Sequence, residues 1–305
     1  MRALVVSNML PSPADPGRGV YVRDQVAALR RVGAVDVDLV EERHGAAGYL
    51  ALARRLRGTS GYDLVHAHFG LTAWPALAVR GVPRVLTLHG TDVRHPRSRR
   101  LTRVAASRFD LVAAASAELA EEATREMGLS SVAVLPCGVA LDRFCPMPRG
   151  EARERLGLPP DGPLLLFGAD PARAVKRFDR ASEVAGDVRL LTLGAVAPEE
   201  VPLWVNAANA VLVPSESEGF GLAVLEALAC DVPVLATPVG VHREALEGVE
   251  GTLCAEFDAV VWRAALEPVL GDDEVRIAGR SRAERWSSDA MAERVVAAWG
   301  RLLAG

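Results

Sequence analysis

Short apolar runs alternate with amphipathic stretches along almost the whole of this 305-residue chain. Residues 3–7 form an apolar run typical of a buried strand, and residues 20–32 carry apolar side chains at helical spacing. The same pair of patterns recurs as far as Pro136, including a predicted helix over residues 71–79. It starts again at Leu164, with strands predicted over residues 164–167 and 210–213 among others. Strands and helices that alternate in this way form mostly parallel sheets with helices on both faces. The pattern therefore predicts an α/β fold with two doubly wound parallel-sheet domains.

The segment over residues 137–163 is rich in proline and glycine and interrupts this alternation. It predicts a linker between the two domains with one short helix inside it. We expect an N-terminal domain over residues 1–148, a C-terminal domain over 149–285 and a final segment over 286–305. After Glu256 the pattern is helical to the end of the chain. Parallel sheets bind ligands at the carboxyl ends of their strands, so the two domains are expected to face each other across a ligand-binding cleft.

The charged residues divide unevenly along the chain. Of the 35 basic residues, 34 are arginines and one is Lys176, against 39 acidic residues. Residues 1–150 carry 20 basic and 14 acidic residues, a net charge of +6, whereas residues 151–305 carry 15 and 25, a net charge of −10. Hydrophobic residues make up 50% of the chain, which is enough to form the hydrophobic cores of two domains. The sequence lacks an apolar run long enough to span a membrane, a signal-peptide pattern and a paired-cysteine motif, which predicts a cytoplasmic protein.

The stretch over residues 214–244 carries the most informative chemistry. A predicted strand ends at Pro214, the loop EGFG follows over residues 218–221, and a helix begins near Leu222. The two glycines allow the backbone to approach a ligand, and the free amide groups at the start of a helix favour an anion. The pattern predicts an anion-binding loop at the end of a strand.

Two glutamates in this stretch, Glu218 and Glu226, are eight residues apart, slightly more than two helical turns. We therefore expect them on the same side, one at the entrance of the helix and one deeper. Glu226 stands within the apolar run GLAVLEALA, where an unpaired carboxylate is costly to bury. We interpret both glutamates as functional rather than as a capping acid and an exposed helix residue.

The spacing Glu218-x7-Glu226 within EGFGLAVLEALACDVPVLATPVG, followed by Glu244, resembles the signature of the retaining glycosyltransferases of family 4, which have the GT-B fold. The resemblance extends over most of the chain. It implies that the N-terminal domain binds the acceptor, that the C-terminal domain binds the donor, and that the last helix packs on the N-terminal domain. The further matching segments are the family's glycine loop, two N-domain strand ends, hinge and crossing segment, at residues 17–19, 63–70, 85–92, 135–146 and 286–287.

The resemblance also implies the contacts to the donor sugar. Glu218 would hold its hydroxyl groups, together with the backbone of the glycine-rich loop, and Glu226 would bind the ribose of the nucleotide. The loop residues concerned are Gly219, Phe220, Gly221 and Leu222.

For the donor diphosphate, the resemblance implies Lys176 together with a neighbouring arginine. The family usually carries a Gly-Arg pair five residues before the lysine, whereas this chain reads GADPARAVKRF, so Arg173 and Arg177 both stay open as candidates. Gly19 would let the N-terminal loop approach the diphosphate, and His89 would face the reacting sugar. Negative charge develops on the diphosphate as it leaves, and fixed positive groups are the largest expected contribution to catalysis. The implied reaction therefore requires neither a metal nor a cofactor.

The implied function is transfer of a hexose from a nucleoside diphosphate sugar to a hydroxyl acceptor, with retention of configuration. The acceptor would be a glycan, a lipid-linked sugar or a small metabolite. The segment after Arg189 is shorter than is usual in the family, so the sequence does not identify the nucleotide base.

Residues 95–108, HPRSRRLTRVAASR, place five arginines in one short stretch. One interpretation is a solvated helix face. The other is contact with an anionic acceptor or an anionic membrane, with Asp92, Arg97, Arg99 and Arg100 on the acceptor side and the protein peripheral at the inner face of the membrane. Nucleic acid is not expected as a partner, because the sequence interleaves no aromatic residues with these charges.

A metal-dependent hydrolase is the alternative function. His66 and His68 lie on one face of a predicted strand, and His89 and Asp92 follow the next strand, so these side chains form a candidate metal site. Short histidine motifs are frequent false positives, and ordinary hydrogen bonds account for histidines at strand ends. The first turn does not match GxGxxG, which argues against a dinucleotide-binding oxidoreductase. A non-enzymatic sugar-binding protein would be expected to carry an export signal.

Overall fold

The computed structural model describes residues 1–9, 11, 16–33, 35–42, 45–194, 196–271 and 275–305. The chain forms two compact units. Unit 1 contains most of residues 1–138 together with residues 288–305, and unit 2 covers residues 139–287. The domain boundaries expected from the sequence stay predictions. Within the described part of the chain, no helix is long and apolar enough to cross a membrane.

Unit 1 is built on a parallel sheet that has six strands among the described residues. They lie in the order β2-β1-β3-β4-β5-β6. In chain order, these strands are β1 (Arg2–Ser7), β2 (Asp36–Glu41), β3 (Leu64–His68), β4 (Arg84–Leu88), β5 (Leu111–Ala114) and β6 (Ala133–Val134).

Unit 2 is built on a second parallel sheet, with five strands in the part of the chain described. They lie in the order β11-β10-β9-β7-β8. These strands are β7 (Leu164–Phe167), β8 (Arg189–Thr192), β9 (Ala210–Val213), β10 (Val234–Ala236) and β11 (Leu253–Cys254).

Helices supply the crossover connections that parallel neighbouring strands require. Those of unit 1 before the second sheet are α1 (Val20–Arg31), α2 (Ala46–Leu56), α3 (Ala73–Ala76), α4 (Thr91–Arg94), α5 (Pro96–Ala106) and α6 (Ala117–Met127). Those of unit 2 are α7 (Arg149–Leu156), α8 (Phe178–Ala185), α9 (Val201–Ala207), α10 (Leu222–Ala229), α11 (His242–Leu246), α12 (Ala259–Leu270) and α13 (Arg280–Ala283), and α14 (Ser288–Ala304) belongs to unit 1.

The core of unit 1 lies on both faces of its sheet, because successive strand residues point to opposite sides. Leu4 and Val6 of β1 pack with buried residues of α2, α3, α5 and α6. Ala3 and Val5 pack on the other face with α1 and α14, including the fully buried Trp299. Covered on both faces, the strands are the near-continuous apolar runs from which the sequence predicted them.

The Pro- and Gly-rich stretch between the sheets contains α7, so the short helix predicted there is confirmed. The helix packs against α9 of unit 2. Two of its side chains, Arg149 and Arg153, are buried, and both donate hydrogen bonds to main-chain carbonyls of unit 2.

Two helical predictions are wrong in part. The helix expected over residues 71–79 shortens to α3, because bonds from Ala78 to Pro75 and from Val79 to Ala76 tighten the chain into 3₁₀-type turns. The helical pattern expected from Glu256 onward ends with α12. Residues 277–279 are instead tied to Asp231, whose main-chain and side-chain oxygens accept the N–H groups of Ile277, Gly279 and Arg280, and the helix resumes at Arg280.

Candidate active site

Three loops at the carboxyl edge of the unit 2 sheet bring together side chains of opposite charge. Lys176 ends a 3₁₀ turn after β7, Glu218 lies in the loop after β9, and His242 begins α11 after β10. These three strands are neighbours, so their carboxyl ends meet at one edge, where parallel sheets bind ligands. The main chain joins two of the loops, since the N–H of Glu216 donates to the carbonyl of Val175 over 2.9 Å.

An ion pair joins Lys176 and Glu218. Nζ of Lys176 donates to both carboxylate oxygens, at 2.6 and 2.7 Å, and Oγ of Ser215 donates to Oε1 of Glu218 at 2.7 Å. The two charged side chains are only 12% and 8% exposed. A pair so well buried loses much of its hydration, and only close geometry with further hydrogen bonds offsets that loss. An ammonium group has three protons, so one N–H of Lys176 is left for another acceptor.

Glu218 stays ionised at neutral pH in spite of its burial. Burial by itself raises the pKa of the carboxyl group, but the charge of Lys176 and the hydrogen bonds from Lys176 and Ser215 lower it. The net result is a pKa below the ordinary value. The site therefore holds a fixed carboxylate that accepts hydrogen bonds beside a fixed ammonium group that donates them.

The backbone of the loop before α10 depends on two glycines. Gly221 has a φ of +107°, and a Cβ on it would lie 2.3 Å from Nε2 of His242. Gly240 has a φ of +61°, and a Cβ there would lie 2.3 Å from the carbonyl oxygen of Phe220, which accepts the N–H of Val241 over 2.8 Å. The first amides of α10 have no acceptor within the helix, so this loop end favours an anion.

His242, Ser215 and Thr237 were missed by the sequence analysis. Nδ1 of His242 lies 2.9 Å from the carbonyl oxygen of Thr237 and therefore carries the hydrogen, which leaves Nε2 buried without a partner among the described residues. Burial lowers the pKa of His242 more than Glu218 raises it. The position of Ser215 two residues after β9 and three residues before Glu218 is the signal that could have revealed it. A single histidine in a helix gives no comparable signal.

The other residues expected at the donor side have different environments. Glu226 lies on α10 and is half-buried. The guanidinium group of Arg177 is already engaged, since it lies 2.6 Å from Asp179 and 3.5 Å from Glu216. Arg173 is exposed. Which arginine assists Lys176 therefore stays open.

In unit 1, three histidines stack at the carboxyl ends of β3 and β4. The ring centroids of His66 and His68 are 4.5 Å apart, and those of His68 and His89 are 5.2 Å apart. Nδ1 of His68 and Nε2 of His89 share one hydrogen over 2.9 Å, and Nε2 of His66 bonds to Oγ1 of Thr87 at 2.7 Å. Burial lowers the pKa of all three, that of His68 to about 3. The stack is therefore neutral at physiological pH.

Asp92 is buried beside this stack. Its carboxylate accepts the main-chain N–H groups of Gly70, His89 and Gly90, at 3.1, 3.0 and 2.8 Å. Burial raises the pKa of Asp92 in spite of these bonds. The side chain thus ties together the loops that follow β3 and β4.

The remaining residues expected in unit 1 are Gly19 and three arginines. Gly19 precedes α1 with a φ of +76°, and a Cβ on it would lie 2.1 Å from the carbonyl oxygen of Met9. Arg99 pairs with Glu126 at 2.6 Å. The two other arginines are exposed and form no ion pair with any described residue; they are Arg97 and Arg100.

Comparison with known proteins decides the family. A model of Glycosyltransferase Family 4 matches residues 5–143, and one of Glycosyl transferases group 1 matches residues 153–272. The chain is 33% identical to a D-inositol 3-phosphate glycosyltransferase of Actinosynnema mirum, over 97% of this chain and 85% of that protein. The chain belongs to glycosyltransferase family 4. A second relative of this name, from Xylanimonas cellulosilytica, is 32% identical over 74% of this glycosyltransferase and 68% of the relative.

Solved structures support the fold of this glycosyltransferase. Sucrose-phosphate synthase from Thermosynechococcus elongatus superimposes with a TM-score of 0.74 over the whole of both chains, at 22% identity. Anabaena Alr3699/HepE in complex with UDP-glucose gives a TM-score of 0.71 at 16% identity, over 98% of this chain and 99% of that chain. The GT-B fold class with two parallel-sheet α/β domains, expected from the sequence, is confirmed.

The metal-dependent hydrolase is not supported for this glycosyltransferase. Among the described residues, no group of three His, Cys, Asp or Glu side chains is arranged to hold a metal ion. The facing nitrogens of His68 and His89 bond to each other, and Nε2 of His66 is taken by Thr87. These nitrogens serve hydrogen bonds, as histidines at strand ends ordinarily do.

Proposed function

We propose that this glycosyltransferase moves a hexose from a nucleoside diphosphate sugar to a hydroxyl acceptor, with retention of configuration and without a metal ion. The observation that carries the proposal is the buried Lys176–Glu218 pair at the carboxyl edge of the unit 2 sheet. It supports a donor site because one side chain suits a diphosphate and the other suits the hydroxyl groups of a sugar.

In this proposal the donor diphosphate lies against the first turn of α10 and the free N–H of Lys176. The end of a helix stabilises an anion by about 0.3–1 kcal/mol, and by up to about 2 kcal/mol where it is partly buried. Because Glu218 already neutralises Lys176, the ammonium group does not repel the developing positive charge on the sugar. Its remaining proton strengthens its bond to the diphosphate as negative charge builds there, which favours departure of the leaving group.

Glu218 and the backbone of residues 219–222 are proposed to hold the donor sugar, and Glu226 the ribose. Glu218 suits this role because it is ionised and retains acceptor capacity beyond its bonds to Lys176 and Ser215. In unit 1, His89 is proposed as a sugar contact. A neutral imidazole does not repel the oxocarbenium character of the reacting sugar, and burial keeps His89 neutral by lowering its pKa.

UDP-glucose is the first donor to test, because a protein of the same fold was solved with it. Several relatives carry the name D-inositol 3-phosphate glycosyltransferase, so a phosphorylated polyol joins glycans and lipid-linked sugars among the proposed acceptors. Arg97 and Arg100 suit an anionic acceptor because both are exposed cations. Peripheral contact of a cytoplasmic protein with an anionic membrane completes the proposal.

The proposal is tested with Glu218→Gln and Lys176→Met. Transfer and donor hydrolysis should both fall by about 10²–10³-fold, the loss typical when one preorganised group is removed. UDP binding, measured by calorimetry, should weaken in Lys176→Met and persist in Glu218→Gln. Glu250→Gln is the control, since this exposed carboxylate lies outside the three loops of the site and should leave turnover unchanged.

Full turnover in both Glu218→Gln and Lys176→Met would refute the donor site. Two further measurements address the remaining parts. The anomeric configuration of the product, read by NMR, should match that of the donor, and an inverted product would exclude the retaining mechanism. Transfer should persist after exhaustive treatment with EDTA. If EDTA abolishes transfer and Mg²⁺ or Mn²⁺ restores it, the metal-independent mechanism is excluded.

A further inference from the structure

Helices α2, α3, α5 and α6 cover one face of the unit 1 sheet. Contacts between α2 and α3, between α3 and α5, and between α5 and α6 give their order across that face. We define the basic face as the outer surface of α2, α3 and α5 with the residues that directly follow each helix. It carries two features that do not belong to the donor site: exposed apolar side chains and an excess of arginine.

The exposed apolar side chains come from all three helices. Leu50 of α2 is 52% exposed, Trp74 of α3 is 38% exposed, and Leu101 and Val104 of α5 are 50% and 48% exposed. Leu101 and Val104 are three residues apart and therefore neighbours on the surface of α5. Isolated apolar residues on a surface are common, whereas four on three helices that contact one another favour an interaction surface.

The helices of the basic face and the residues that directly follow them are rich in arginine and contain no acid, although Arg55 of α2 pairs with Glu42 from the end of β2. Residues 45–62, 69–91 and 93–109 contain eleven arginines and no aspartate or glutamate. Arg99 and Arg94 are turned to α6, where they pair with Glu126 and Glu122. Seven others form no ion pair with a described residue and are exposed: Arg54, Arg57, Arg80, Arg97, Arg100, Arg103 and Arg108.

We propose that the basic face docks on an anionic lipid bilayer. Arginines attract the negative surface of the membrane, while aliphatic side chains and an interfacial tryptophan enter the headgroup region. A purely electrostatic site for a soluble anion has no use for four exposed apolar side chains. A protein partner is less favoured, because the described part of this face offers no acid that would pair with basic residues of a partner. The inference rests on the membrane contact of the proposed function, for which it names the surface, and it does not depend on the proposed donor site.

The test uses the full chain and sedimentation with vesicles of phosphatidylcholine alone or mixed with phosphatidylglycerol. Binding should require phosphatidylglycerol and should weaken as salt is raised, because salt screens the attraction. The variant Arg57→Gln/Arg103→Gln/Arg108→Gln leaves the predicted acceptor arginines untouched. It should reduce vesicle affinity about a hundredfold, from roughly fivefold for each arginine.

The matched control is Arg155→Gln/Arg189→Gln/Arg301→Gln, which removes three exposed arginines from other surfaces. It should bind vesicles like the unaltered protein. Equal losses in the two triple variants would show a general effect of net charge and would overturn the proposal. So would salt-sensitive binding to a soluble anionic glycan without binding to vesicles, since that result identifies an acceptor surface instead. Thermal unfolding of each variant checks that it is folded.

Insertion of the apolar side chains is tested separately. Brominated lipids should quench the tryptophan fluorescence of the vesicle-bound protein, and Trp74→Phe should lose most of that quenching while the other four tryptophans remain. Leu101→Ser/Val104→Ser should weaken vesicle binding at high salt, where the electrostatic part is screened. Quenching that is the same in Trp74→Phe would show that this face is not the one that meets the bilayer.

Discussion

Lys176 is a lysine in a chain that otherwise uses arginine for all 34 of its other basic residues. Its compact ammonium group reaches both oxygens of Glu218 and keeps a third N–H. A planar guanidinium group that binds the same carboxylate side-on would direct its remaining donors elsewhere. The residue type therefore matters at this position as well as the charge.

Lys176→Arg is expected to fold normally and to lose donor turnover. The charge is retained, but the N–H group proposed to bind the diphosphate is displaced, so kcat/KM should fall at least about tenfold. Steady-state kinetics with UDP-glucose measures this loss. Arg180→Lys on the neighbouring helix is the control and should keep kcat/KM. Undiminished kcat/KM in Lys176→Arg would mean that only the positive charge is needed.

Gly221→Ala is expected to disturb the loop before α10, which is proposed to bind the donor. The new Cβ would meet Nε2 of His242 at 2.3 Å, on a backbone with φ of +107°, so the loop should shift at a cost of about 1–3 kcal/mol. Calorimetric unfolding and UDP affinity should both decline. Gly150→Ala provides the comparison, because Gly150 lies in α7 with open space around it and should be unaffected or slightly stabilised. A fully stable Gly221→Ala would show that the loop adapts at no cost.

Some structural features follow from local sequence patterns, whereas others depend on tertiary packing that no local pattern shows. Strands such as β7 and β9 are continuous apolar runs and were predicted with the bounds that the structure shows. The docking of α7 was not predicted, because arginine in a polar helix is typical of an exposed surface. Lys176 and Glu218 were both predicted in the site, but their direct pairing depends on the register of separate strands, which no local pattern encodes.

Three arginines close the carboxyl end of α9. Arg276, Arg153 and Arg149 donate to the carbonyls of residues 206, 207 and 208 at 3.0, 3.1 and 3.2 Å. Positive groups at this end satisfy carbonyls that have no helical partner and oppose the helix dipole. Some of the many arginines in the chain therefore have a structural role, because they bind main-chain carbonyls inside unit 2.

Arg153→Lys is expected to lower the stability of unit 2 by about 2–3 kcal/mol. The fully buried Arg153 donates to Ala207, Pro160 and Asn209, and one ammonium group cannot reach all three acceptors. Urea unfolding followed by circular dichroism measures the change. Arg155→Lys on the exposed side of α7 should stay within about 0.5 kcal/mol. Similar changes in the free energy of unfolding for both variants would show that the buried guanidinium group has no special role.

At the scale of the whole molecule, net charge is a poor guide to where charge acts. Residues 151–305 carry a net charge of −10, yet the proposed diphosphate site lies there. The attraction for a diphosphate must therefore be local, at Lys176 and the start of α10. The net charge of +6 over residues 1–150 is likewise concentrated, because the arginines of the basic face have no acids among them.

Buried neutral histidines in both units make the whole molecule sensitive to acid. Burial lowers the pKa of His66, His68, His89 and His242 below that of an unfolded chain, about 6.5. Below that pH the unfolded chain binds protons that the folded chain excludes, so the free energy of unfolding falls. For His68, whose pKa is about 3, the loss is about 1.4 kcal/mol per pH unit between pH 6.5 and 3.

Scanning calorimetry between about pH 7 and pH 5, above the ordinary pKa values of aspartate and glutamate, measures this dependence. The unfolding temperature should fall steadily with pH, and His68→Gln should make the slope shallower even though it lowers stability at pH 7. His95→Gln is the matched control, because His95 is exposed and its replacement should leave the slope unchanged. An unfolding temperature that is flat down to pH 5 would mean that the folded chain accepts these protons, and the neutral state proposed for His89 would then fail with it.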